Sequence, residues 1–150
     1  MRGRAMSRKR GGGESLFWVG CFHQVVRQDD DVAVSILERS LDLAAGVGDG
    51  MTVSYALRHL GIAEHAAGRL EAARERLEES TRLRREIRFT EGVAANLVSL
   101  TYIAAAQGRV DDALALIDEA GEIAEASDAG GVARQVEEAR ARLRSTIDPP

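Results

Sequence analysis

The stretch LRHLGIAEHAAGRLEAARERLEES, Leu57–Ser80, lies over LVSLTYIAAAQGRVDDALALIDEA, Leu97–Ala120, at an offset of 40 residues with no gap. Leu57 meets Leu97, Leu60 meets Leu100, and the pair Gly68-Arg69 meets Gly108-Arg109. Ala73 meets Ala113, Leu77 meets Ile117 and Glu79 meets Glu119. Shifting back by the same 40 finds a weaker copy, in which Phe17, Cys21, Ala33, Leu37 and Ser40 face Leu57, Gly61, Ala73, Leu77 and Ser80. Self-similarity at a fixed period of this length is the signature of a repeat architecture.

Each copy reads as two helices. Val53, Leu57, Leu60 and Ala63 to Ala67 recur at helical spacing, and Gly68 closes the segment as a left-handed cap. A second helix runs from about Leu70, with Ala73, Leu77, Ser80 and Leu83 or Ile87 facing inward. Thr90-Glu91 supplies a start signal for the third copy, and Asp111-Asp112 places acids in the first turn of its second helix, as Asp29-Asp30-Asp31 does in the first. Gly46, Gly48 and Gly50 break the chain between the first two units, and Gly130-Gly131 break it after the third. Val132, Val136, Ala139 and Leu143 then form the apolar stripe of a final helix whose other faces are charged, as a terminal cap requires. The predicted organisation is a basic tail over 1–13, disordered by composition, and a helical repeat domain over 14–146. Its units cover about 14–50, 51–90 and 91–129, with a cap over 130–146.

Composition narrows the function. The 150 residues are 45 % hydrophobic and 29 % charged, the balance of a soluble folded domain, and only 4 % aromatic, so Ala, Leu, Val and Ile must build the core. The net charge of −4 is uneven: Arg2, Arg4, Arg8, Lys9 and Arg10 stand in the tail with no acid, leaving 15 basic against 24 acidic residues elsewhere. An acidic body argues against a general nucleic-acid surface, and the tail alone is the only candidate for such contacts. Cys21 is the single cysteine, which excludes an internal disulfide and fits a cytoplasmic setting. No apolar run is long enough to span a membrane, and Leu16 to Cys21 is too short for a secretory signal.

The pattern Gly61, Gly68, Ala73, Leu77, Ser80 resembles the tetratricopeptide repeat, as does Thr101, Gly108, Ala113, Ile117, Ala120. In the first unit Cys21, Ala33, Leu37 and Ser40 match, while Gln28 replaces the turn glycine. The period is near 40 instead of 34, and the proline that usually ends each unit is absent, which suits a longer variant of the family. The wording around Leu57–Ser80 is also similar to C-terminal repeats of large actinobacterial regulators. The resemblance implies an all-α fold: a right-handed α–α superhelix of three helical hairpins and a C-terminal capping helix. It implies a protein-interaction scaffold with no catalysis and no cofactor; the alternative is a regulatory or sensor fragment acting with an ATPase or DNA-binding chain.

In this family the first helix of each unit lines a groove. Position by position, that puts Trp18, Phe22, Tyr55, Arg58, Ile62, His65, Val98 and Tyr102 on or near it, and of these Tyr55, Arg58, Ile62, His65, Tyr102 and Trp18 are the expected partner contacts. Aromatics and arginine are apt anchors for a peptide. The Lys and Asn of a carboxylate clamp are not matched, since Trp18 and Phe22 take the first two places. His59 and His65 are six residues apart and point to different helix faces, and Cys21 and His23 diverge, so no metal site is expected. Gly46-Val47-Gly48-Asp49-Gly50 lacks the Lys-Ser/Thr of a phosphate loop. No cap precedes Leu16-Phe17-Trp18-Val19, so this edge is expected to meet a partner, a second copy or an upstream segment.

Overall fold

A computed structural model describes residues 2–128 and 130–149; of residues 2–11 it describes the backbone alone. Among the described residues the chain is all helical, with seven α-helices and no strand. They are α1 (Arg2–Phe22), α2 (Asp30–Gly46), α3 (Gly50–Ala66), α4 (Leu70–Glu86), α5 (Thr90–Ala106), α6 (Val110–Ser127) and α7 (Gly130–Ile147). A π-helical turn, His23–Arg27, continues α1. The helical backbone of α1 includes most of the segment expected to be a disordered tail, but the basic side chains of that tail lie outside the described residues.

The punctuation is more regular than composition suggests. Residues with positive φ fall at Gln28, Gly48, Gly68, Arg88, Gly108 and Asp128, one every 20 residues. Four of them, Gly48, Gly68, Arg88 and Gly108, end a helix in the same way. The amide after the left-handed residue reaches back to an orphan carbonyl of the last turn: Asp49 N–H to Ala44 O at 2.9 Å, Arg69 to Glu64 at 2.9 Å, Phe89 to Arg84 at 2.8 Å and Arg109 to Ala104 at 2.9 Å. A helix and its turn thus take 20 residues, and a hairpin takes 40. Gly130 and Gly131, expected to break the chain, instead open α7; the break is at Asp128.

Three of the six left-handed positions hold a residue with a side chain, at a cost of about 1 kcal/mol each. Arg88→Gly is therefore expected to stabilise the chain by about 0.5–1 kcal/mol, the relief of strain being partly offset by a freer unfolded chain. A rise in urea midpoint at unchanged slope would show it; an unchanged or lower midpoint would mean that the Arg88 side chain stabilises the turn.

By its internal contacts the chain divides into residues 1–83 and 84–150, a boundary inside α4. In the first part α1 packs on α2 and on α3, and α2 packs on α3. Its core gathers Phe17, Leu37, Ala56 and Leu60, with Cys21, Val34, Leu41 and Tyr55 against them. Two glycines permit close helix approach: a Cβ on Gly20 would stand 2.9 Å from Leu37, and one on Gly61 would stand 2.9 Å from Leu77. Buried serines then lock each hairpin, Ser40 Oγ donating to Gly13 O at 2.8 Å and Ser80 Oγ to Ser54 O at 2.7 Å.

These paired contacts correct the sequence register of the first helix. Leu37 and Leu77 are 40 apart, as are Ser40 and Ser80, but Gly20 and Gly61 are 41 apart, as are Gly13 and Ser54. One extra residue therefore lies between Gly20 and Gln28. It is wound into the π-helical turn, where Asp29 N–H reaches His23 O at 3.0 Å across six residues; the corresponding bonds of the other turns span five. Gly20, and not Cys21, is the counterpart of Gly61.

In the second part α5 packs on α6 and α7, and α6 on α7. Ten residues of α5 are buried, so it is surrounded, while α6 and α7 bury single stripes, Ala113, Ile117, Ala120, Gly121 and Ala124 on one and Val136, Ala139 and Leu143 on the other. The sequence pattern turned Leu83 or Ile87 inward at the end of α4. Leu83 is only half-buried and Ile87 is exposed; Arg84 is buried there instead, at 1 % exposure.

Candidate functional site

On α3, Tyr55, Arg58, Ile62 and His65 follow one another at steps of three, four and three, which keeps them on one face of the helix. All four are half-buried. They are neither core nor fully solvated. Burial lowers the Arg58 guanidinium from its ordinary value, with neighbouring Tyr55 acting in the opposite sense. A cation held there gains more from an arriving carboxylate than one standing free in water.

The corrected register identifies the neighbouring stripe on α1. Phe17, Cys21 and Gln24 take the places of Arg58, Ile62 and His65, where the sequence pattern had placed Trp18 and Phe22. The Phe17 ring lies 5.5 Å from that of Tyr55 and 5.3 Å, edge to face, from that of His59. Gln24 binds His59 twice, its amide donating to the His59 carbonyl at 2.9 Å and its Oε1 lying 2.7 Å from His59 Nδ1. Phe17 and Gln24 thereby tie α1 to α3 beside the Tyr55–His65 stripe. Burial pushes the Cys21 thiol up to about 11, so it stays protonated at neutral pH and is a poor nucleophile.

Trp18 stands on a different face, in register with His59, and is 62 % exposed. Tyr102 belongs to the 84–150 part, where the Arg142 guanidinium of α7 covers its ring at 5.6 Å. Val98, also expected near the groove, is buried at 5 %. A cleft of about 180 Å³ between α6 and α7 is lined by Leu114, Ile117, Leu143 and Ile147 with Asp118 and Arg140. The Arg140–Asp118 ion pair, at 3.7 Å, lies at its edge.

Sequence reasoning missed Phe17, Cys21 and Gln24. The signal was present, since Gly20 answers Gly61 at an offset of 41, but a gapless comparison cannot accept it. The acidic clusters act as surface partners of arginine: Arg74 is held by Glu71 and, at 3.2 Å, by Glu78, and Arg109 by Asp112 at 2.8 Å. Among the described residues no group of three His, Cys, Asp or Glu side chains could hold a metal, and no helix is long and apolar enough to cross a membrane.

Tandem helical hairpins with a half-buried stripe on a first helix define a helical-repeat module. The sequence pattern of the tetratricopeptide repeat matches residues 23–86, which span the π-helical turn through α4, and supports a tetratricopeptide reading of that stretch. The match begins at His23, where the extra residue puts α1 out of register. Tetratricopeptide repeats generally mediate protein–protein interaction and are typically not catalytic. No curated protein matches the chain.

Proposed function

We propose that the chain is a protein-interaction scaffold that receives a segment of another protein along α3, at Tyr55, Arg58, Ile62 and His65. The observation that carries this is the half-buried stripe itself, which sets an aromatic ring and an aliphatic side chain on either side of a guanidinium. Such a surface suits a segment with one carboxylate flanked by apolar residues: Arg58 takes the carboxylate, and Tyr55 and Ile62 take the apolar neighbours. Tyr102, with Arg142 over its ring, is a separate candidate contact in the 84–150 part, and Trp18 belongs to another surface of the first part. A cytoplasmic setting draws its support from the single cysteine of the sequence, Cys21. The alternative of a regulator fragment acting with an ATPase or DNA-binding chain draws its support from the wording of Leu57–Ser80 alone.

A displayed peptide library selected on the full chain tests the proposal. Enriched sequences should pair an acid with apolar residues, and Arg58→Ala should weaken the best of them about 10- to 100-fold, the loss of one hydrogen-bonded charge pair of about 1.5–3 kcal/mol. Enriched peptides that bind Arg58→Ala and Tyr55→Ala as well as the parent would refute it.

A further inference from the structure

The face of α1 and its π-helical turn that carries Trp18, Val19, Phe22, Val25 and Val26 is exposed, at 62, 45, 49, 66 and 66 %. Spaced at three and four residues, these side chains make one uncharged stripe along the helix. Five large apolar residues bared together are unusual on a folded surface and mark an interaction site. In the corrected register Val19 stands where α3 has Leu60, which is 2 % exposed because Phe17 and Leu37 pack around it. The same helix face that is covered in α3 is thus open in α1.

We infer that a second copy of this chain covers it, with α1 packed against α1 about a two-fold axis. Two features select this occupant. First, the stripe holds no charge, so it is self-complementary and two copies meet without like-charge repulsion. Second, the five side chains offer roughly 500 Å² per copy, so two copies reach the ~1,000 Å² at which specific interfaces begin.

Trp18 is the only tryptophan and so reports directly on this surface. Light scattering after size-exclusion chromatography should give twice the 16.2 kDa chain mass. On dilution the mass should fall toward one chain and the Trp18 emission should shift to the red in step. Val25→Asp and Val26→Asp, both at highly exposed positions, should each weaken association at least ~100-fold with the helical circular dichroism unchanged. A monomer at high micromolar concentration would overturn the inference, as would open-ended assembly, or a dimer whose mass and Trp18 emission ignore both substitutions. This test is independent of the groove on α3, whose peptides should bind monomeric Val26→Asp as they bind the parent.

Discussion

Replacing Arg84 by alanine is expected to cost about 3–5 kcal/mol through lost packing and unsatisfied buried acceptors. Arg84 is 1 % exposed, although the equivalent positions in the other hairpins are Ala44 and Ala124. Its Nη1 donates to the Gly92 carbonyl at 2.9 Å and to Asn96 Oδ1 at 3.1 Å, and its guanidinium lies 5.0 Å from the centre of the Phe89 ring. Phe89 in turn packs close to Gly92, where an added Cβ would come within 2.4 Å of the ring. Truncation at Arg84 removes the bulk that fills this site and leaves an amide oxygen and a carbonyl buried with a donor lost. Arg84→Ala combined with Asn96→Ala, the residue found at the equivalent Ala56, should be less destabilised than the two single losses added together. Urea unfolding of the four proteins measures the coupling. A loss below about 1 kcal/mol for Arg84→Ala would show that the buried cation contributes nothing beyond what alanine supplies in the neighbouring hairpins.

A one-residue deletion should be nearly harmless in the π-helical turn and destructive in α3. Removing Val26 leaves the same number of residues between Gly13 and Gln28 as between Ser54 and Gly68. The turn can then wind as regular α-helix, with Gly20 still on Leu37 and Ser40 still bonded to Gly13. The expected change in stability is within about 1 kcal/mol. Removing Ala63 has no bulge to absorb it. Every residue from Gly50 to Ile62 turns by about 100° relative to the following helix, which takes Leu57 and Leu60 out of the core. Each buried leucine lost costs about 2–5 kcal/mol, enough together to unfold this part of the chain. Thermal unfolding followed by circular dichroism compares the two directly. Equal damage from both deletions would mean that the turn is not an insertion.

The two cases also show where the sequence was legible. Helices α3 to α6 were readable because Gly68 and Gly108 mark identical turns and Leu57, Leu60, Leu77, Leu97, Leu100 and Ile117 repeat without a gap. The first helix was displaced by one position, because a π-helical turn adds a residue without any change in polarity at the site. Cys21, Trp18 and Phe22 were consequently assigned places that belong to Gly20, Phe17 and Cys21. At the end of α4 the pattern failed for another reason. Hydrophobic periodicity reads arginine as surface, and only the small Gly92 with Asn96 across from it reveals a buried guanidinium. The turns at Arg88 and Asp128 were hidden because neither residue is a usual left-handed former on the scale of glycine. The placement of Tyr55, Arg58, Ile62 and His65 on one face of α3 was legible, since α3 has no irregularity between its capping Asp49 and Gly68.

The most direct test of the proposed groove is amide chemical-shift mapping of the full chain with an acidic–apolar peptide from the library selection. The proposal predicts that shifts cluster on α3 at Tyr55, Arg58, Ile62 and His65 and on the adjoining residues Phe17, Cys21 and Gln24, with the outer face of α4 around Glu75 and Glu79 unmoved. Shifts confined to Trp18–Val26, or to the outer face of α4, would contradict it.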